Sequence, residues 1–534
     1  MARYPWLVSC AALLAGAAQG PVLEITHPPG LDFTLRNSPT EQKYVIETMA
    51  GGVALLDYNN DGLLDIFFVN GGRLPQGFAR DNPAYWNRLF RQNRGGSFTD
   101  VTTAAGLSRA GNNYGMGVAV GDFNNDGRPD LYITNFGRNQ LYRNNADGSF
   151  TDVTEQAGVA AGGWSVSAAF LDYDNDGRLD LFVSRYLDYD LSRNVLCGTP
   201  FHAYCRPDKY KGTANVLFHN EGNGRFRDVS QSSGIGLHIG NGMGAAVNDY
   251  DHDGYPDIFV SNDMMEQFLF RNKKDGAFEE SAVTAGVAYS VEGGTFSGMG
   301  AAFADYDNDG LPDIAVSNLA REKHALFHND GGGRFSDASL RSGLAELSAR
   351  SSGWGLGFHD FDNDGWKDLF VSQSHVLDNV ERIDANIRYL EPPALYLNRG
   401  GRFEKADLGP LPAVAGRGVA FGDLNNDGAI DAIITVLGGH PLVFRNRPGG
   451  NHWLIVQLVG TRSNRDGIGA RVRAGKQWAY VSTSGSYLSS SDVRVHFGLG
   501  AAMRTDIEIL WPSGKRQTLG QVSADRVLTV KEPE

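Results

Sequence analysis

Apolar and polar positions alternate in short bursts along the whole chain, and each burst is cut off by Gly, Asn or Asp. The runs LYITN, LFVSR, IFVSN, IAVSN, LFVSQ and AIITV have the period and the β-branched content of strands. Each is preceded by a glycine-punctuated apolar stretch, such as GMGVAVG, GMGAAVN, GMGAAFA or GRGVAFG. After it comes a second phrase, as in LYRNNADGSFTDV and LFHNEGNGRFRDV, which reads as strand, Asn/Gly turn and short strand. No stretch of useful length keeps a helical period. Each unit therefore predicts four short strands in roughly 60 residues, the make-up of a propeller blade.

A nine-residue acidic word joins the first two strands of every unit. It reads DYNNDGLLD, DFNNDGRPD, DYDNDGRLD, DYDHDGYPD, DYDNDGLPD, DFDNDGWKD and DLNNDGAID, beginning at Asp57, Asp122, Asp172, Asp249, Asp305, Asp360 and Asp423. Four-stranded units that must bury their faces against one another close into a ring or stack into a solenoid. The expectation is an all-β chain with a seven-bladed β-propeller over residues 21–448; an open solenoid is the alternative. The glycines before each word suit an innermost strand with little room for side chains, and LEITHPPGLDFTL is placed to complete the last blade. Beyond a hinge at RNRPGGNH (445–452), the alternating runs WLIVQLVG, ARVRA, WAYVSTSG, VRVHFGLG, IEILWP and RVLTVKE predict a small β-rich domain over residues 451–534.

The word has a chemistry of its own. Oxygens at positions one, three and five, with Gly at six, open the loops that wrap Ca²⁺, which takes six to eight oxygen ligands. Here an Asp at position nine closes the set, with the position-seven carbonyl beside it. The predicted ligands are Asp57, Asn59, Asp61 and Asp65; Asp122, Asn124, Asp126 and Asp130; Asp172, Asp174, Asp176 and Asp180; Asp249, Asp251, Asp253 and Asp257; Asp305, Asp307, Asp309 and Asp313; Asp360, Asp362, Asp364 and Asp368; and Asp423, Asn425, Asp427 and Asp431. Up to seven structural Ca²⁺ are expected, against the plainer reading of Asp/Asn/Gly turns without metal.

Composition narrows the partners. With a formal charge of −14 the chain lacks the basic face that nucleic acid or an anionic membrane would require. The first 20 residues, one Arg followed by LVSCAALLAGAA and small residues, read as a secretory signal peptide, too short to span a bilayer. A buried first element is the other reading of that run, and LVSC resembles a lipoprotein box although most of the apolar run follows Cys10. The remaining Cys197 and Cys205 are read as a local disulfide of an exported protein. No GxSxG or HExxH motif occurs. Gly240, Gly242 and Gly244 precede a strand rather than the helix of a phosphate loop, His375 is read as a hydrogen-bonded loop residue, and Phe67, Tyr132, Phe182 and Phe259 as inter-blade core.

The DxDxDGxxD units resemble the FG-GAP/VCBS repeats of integrin α-subunit-type propellers over about residues 45–448. The stretches RDGIGARV, GSYLSSSDVRVHFGLG and ILWPSGKRQTL resemble the ASPIC/UnbV domain, with Ser490 standing where that family usually has Gln. Together the halves look like the cartilage acidic protein-type secreted family. The resemblance implies calcium in the blade loops and an extracytoplasmic location. The functional expectation is a secreted or periplasmic, monomeric binding or scaffolding module for a protein or glycan, without catalytic residues. The alternative is a carbohydrate-active lyase or dehydratase, which would require the insertion loops 80–90, 185–212 and 375–395 to converge over one pocket.

Overall fold

The computed structural model describes residues 21–74, 82–108 and 113–534. The segment read as a signal peptide lies outside the described residues, as do residues 80 and 81 of the first insertion loop. Every acidic word is the loop between the first two strands of a four-stranded antiparallel ladder. In the first sheet the strands are Val53–Leu56, Asp65–Phe68, Arg88–Gln92 and Phe98–Asp100, and the same order recurs around the other words. The sheet of the seventh word takes its fourth strand from the other end of the chain: Glu24–Thr26 pairs with Leu442–Arg445, Ile25 opposite Phe444.

The first strand of each sheet packs against the first strand of the next, and that of the seventh returns to that of the first. Between neighbouring sheets lie the aromatic residues of the second strands. Phe67, Tyr132, Phe182 and Phe259 are fully buried, each contributing on the order of 2 kcal/mol of apolar transfer. The fold is all-β and of propeller type.

The C-terminal part forms two further sheets. His452–Val459 pairs with Val495–Gly500 and, in parallel, with Arg526–Lys531; Arg471–Ala474 pairs with Gln477–Tyr480 and Arg504–Leu510, and the latter with Arg516–Ser523. Their core is continuous with the repeats, since Leu454, Val456 and Ile509 share one buried cluster with Ala119 and Phe170. The expected hinge thus leads into a docked domain rather than a free one.

Between Gln477–Tyr480 and Val495–Gly500 the chain leaves this domain and runs along the inner strands of the repeats. Ser490 N–H donates to Val53 O, and Leu55 N–H returns to Ser490 O, both at 3.0 Å. Val118 N–H reaches Leu488 O, Leu488 N–H reaches Ser167 Oγ, and Gly485 N–H reaches Ala245 O. Ser486 exchanges two backbone bonds with Ala301, and Asp492 N–H donates to Phe421 O. Tyr487 packs on Trp354, ring centroids 5.1 Å apart. The first strand of each of the seven sheets thus touches this one segment. It also explains the glycines ahead of the words: a Cβ on Gly117 would lie 2.8 Å from Val166 O and 2.9 Å from Leu488 O.

Because strands alternate in direction, the connections between second and third strands lie on the face opposite the words. There the disulfide Cys197–Cys205 closes a short loop, with Cα atoms 5.3 Å apart.

Candidate metal centres on the word face

Within each word the position-one carboxylate caps the turn. Asp172 Oδ1 accepts from Asp176 N–H at 3.0 Å and Oδ2 from Gly177 N–H at 2.9 Å. The position-nine carboxylate ties the loop to its own sheet: Asp257 accepts from Tyr250 N–H and from Asn272 N–H on the third strand. The predicted ligands of each word are therefore gathered at one corner, and the corners stand apart around the ring rather than meeting at one centre.

Two sets of amides that the ligand pattern did not include link corner to corner. Position four holds Asn in six words and His252 in the fourth, all at φ 57° to 59°, a left-handed conformation that Asn tolerates better than most residues. Asn60 Nδ2 donates to Gly127 O, Asn125 to Gly177 O, Asn175 to Gly254 O, Asn308 to Gly365 O, Asn363 to Gly428 O and Asn426 to Gly62 O, at 2.7 to 3.1 Å. Among the described residues this circuit is broken only at His252. A second circuit runs from the third strands: Asn144 Nδ2 donates to Tyr58 O, Asn272 to Tyr173 O and Asn446 to Phe361 O, with Gln92 Nε2 to Leu424 O joining the first sheet to the seventh.

The words fall into two electrostatic classes. Where position three is Asn, the loop satisfies itself: Asn59, Asn124 and Asn425 donate to Asp61, Asp126 and Asp427 at 3.0, 3.0 and 2.8 Å. Where it is Asp, one oxygen of Asp174, Asp251, Asp307 or Asp362 is buried without a hydrogen-bond partner, and so is Asp305 Oδ1. Orphaned buried carboxylate oxygens are costly unless a cation meets them, and a cluster of them is the donor set of a hard divalent ion. The residues thus fit a divalent cation, Ca²⁺ where the donors are all oxygen, and the unpartnered oxygens lie in the third to sixth words. Burial, and after it the neighbouring Asp180, pushes Asp172 up to about 8; burial likewise brings Asp65 and Asp431 to about 8. Arg271 at 2.7 Å from Asp251, and Arg399 at 2.9 Å from Asp362, offset part of this charge in the fourth and sixth words.

The C-terminal domain covers this face. Asp466 Oδ2 accepts from Asp122 N–H at 2.9 Å, Asn125 Oδ1 from Arg465 N–H at 2.8 Å, and Asp362 O from Asn451 Nδ2 at 2.8 Å. A cavity of about 180 Å³ lies at the junction, lined by His252, Gly310, Lys367, Arg471, Trp478 and Tyr480 among others, where the Asn circuit is broken.

The FG-GAP-like repeat model matches residues 57–133, 122–183, 204–260 and 249–316, and the ASPIC and UnbV model matches residues 460–534. The chain carries FG-GAP repeats and an ASPIC/UnbV domain. The sixth and seventh words lie outside the matched repeats, although they build the same corner. The chain is 27% identical to human cartilage acidic protein 1 over 483 residues, 87% of this chain and 60% of that protein. It is 30% identical to the Xenopus tropicalis protein of that name over 329 residues, 57% of this chain and 47% of that one. The chain thus spans less than two thirds of either relative. Among solved structures, YCF48 bound to a D1 peptide aligns with TM-score 0.42 at 8% identity, covering 79% of this chain and 94% of that one.

On the opposite face, two of the three insertion loops meet. Lys43 pairs with Asp378 at 2.5 Å, Asn379 Nδ2 donates to His202 O at 2.7 Å, and Arg382 lies over the Phe201 ring at 4.7 Å. Lys43 and Asp378 thus pair with each other, while Arg382 rests on an aromatic ring. His375 is buried, its Nδ1 accepting from Leu377 N–H at 3.0 Å, and burial lowers it to about 4.

Proposed function

We propose that this protein is an exported, calcium-binding FG-GAP module that holds a protein or glycan ligand at the rim formed by its insertion loops, and that it does no chemistry on that ligand. The observation that carries the calcium assignment is the row of buried, unpartnered carboxylate oxygens in the third to sixth words. Side chains at positions one, three, five and nine, all Asp except for Asn59, Asn124 and Asn425, would hold each ion, which when bound would offset two charges of the corner and lock the two strands it joins. Export is supported by the apolar leader in the sequence and by the Cys197–Cys205 disulfide. No helix among the described residues is long and apolar enough to cross a membrane. A lyase would need an acid–base pair free to act in the insertion-loop cleft, whereas Lys43 and Asp378 pair with each other.

Metal analysis of the purified chain, combined with thermal melting in calcium and in EGTA, tests this reading. Several bound Ca²⁺ and a marked drop in Tm on chelation are expected, since one site at a hundredfold excess over its Kd adds about 2.7 kcal/mol. A chain free of calcium that melts identically in EGTA overturns it. Glycan- and protein-array binding without turnover is the expected outcome for the rim.

A further inference from the structure

We infer that the third and fifth words are not plain calcium corners but mixed nitrogen–oxygen sites built for a borderline transition-metal ion of the Zn²⁺ class. This rests on the words being cation sites and goes beyond it in dividing them by metal. The dividing residue stands on the third strand of each sheet, one place before the bridging amide. That place holds Arg91, Arg143, Arg271 and Arg445 in four sheets and Leu397 in the sixth; only the third and fifth sheets have His219 and His328.

Both imidazoles turn Nδ1 into the word. His219 Nδ1 lies 3.2 Å from Asp180 Oδ1 and 3.6 Å from Asp174 Oδ2; His328 Nδ1 lies 3.2 Å from both Asp313 Oδ1 and Asp307 Oδ2. Each Nδ1 atom is buried and stands at ion-pair distance from these carboxylates, and His328 Nε2 lies 3.7 Å from Asp330 Oδ1. In the fifth word the companion observation is Asp305, only 4% exposed, whose Oδ1 is without a partner. Donor atoms of Asp307, Asp313 and His328 lie within 4.8 Å of one another, as do those of Asp305, Asp307 and Asp309; the third word repeats this with Asp174, Asp176 and His219.

Two donors each about 2.0–2.2 Å from one ion stand about 3–3.6 Å apart, the separation seen here. Ca²⁺ takes oxygen, whereas imidazole suits zinc and its neighbours. An arginine at this place can only offer a positive charge to the carboxylates, as Arg271 does to Asp251. A histidine can instead share a metal with them.

The test uses the full chain, stripped of metal and dialysed against millimolar Ca²⁺ with micromolar Zn²⁺. Bound metals are then counted. The wild type is expected to retain two Zn²⁺, His219→Arg and His328→Arg one each, and the double variant none, with the calcium of the other words unchanged. Arginine is what four sister sheets carry, so the variants are built from the protein's own repeat. X-ray absorption at the zinc edge of the wild type gives a readout that needs no variant, and imidazole scattering is expected in it. Zinc retained by the double variant, or an all-oxygen zinc shell, overturns the inference. Calcium bound without zinc overturns it while leaving the calcium reading standing; no metal of either kind overturns both.

Discussion

At the scale of single residues, amides do as much as acids to hold the words in place. Asn272 is a clear instance: its N–H binds Asp257 of its own corner, while its side chain donates to Tyr173 O of the preceding sheet and to Pro256 O. Asn272→Ala leaves two buried carbonyls without this donor and is expected to cost about 1–3 kcal/mol, read as a lower urea midpoint with an unchanged m-value. The sequence shows such an Asn in six of seven third strands, and Asn at position four in six of seven words. Both repeats were open to view, but a ligand pattern based on carboxylates passes over residues whose partners lie in the next sheet. The same holds for His219 and His328. They look like ordinary strand residues until folding turns them onto a word.

At the scale of elements, the repeated strands were readable because period-two apolar bursts and Gly or Asn stops are local signals. The crossing partners were not. WAYVSTSG reads as a strand and SYLSSSD shows no periodicity, yet the strand ends at Tyr480 and the serines and backbone of 482–492 bond to inner strands of the repeats far away in sequence. The last strand, Arg526–Lys531, is fastened in another way that the pattern also hid. Glu532 accepts from the N–H groups of Thr461, Arg462 and Ser463 at 2.7 to 2.9 Å, and from the hydroxyls of Ser463 and Ser513. Burial alone would raise this carboxyl, but these donors prevail and bring it down to about 2. Its unfolded value near 4.5 is the higher one, so between the two the unfolded chain binds more protons and stability rises with pH. The contribution is whole above about pH 4.5 and is lost as pH falls toward 2. Thermal melts across that window should show a steeper acid loss for the wild type than for Glu532→Gln.

At the scale of the whole molecule, seven word-bearing sheets and two C-terminal sheets share buried cores, and the C-terminal domain lies over the words it follows in sequence. A chain ending at residue 448 keeps every word but strips the inner strands of the acceptors that Leu488, Ser490 and Ser486 supply. It is expected to melt well below the full chain and to exchange the amides of Leu55, Val118 and Ala301 rapidly, whether or not calcium is present; retention of their protection would contradict the packing described. The segment 482–492 also acts as a spindle. It follows all seven sheets in sequence yet touches the first strand of each, so it ties together sheets that otherwise meet mainly their neighbours. Loss of that one segment would therefore loosen all seven inner strands at once.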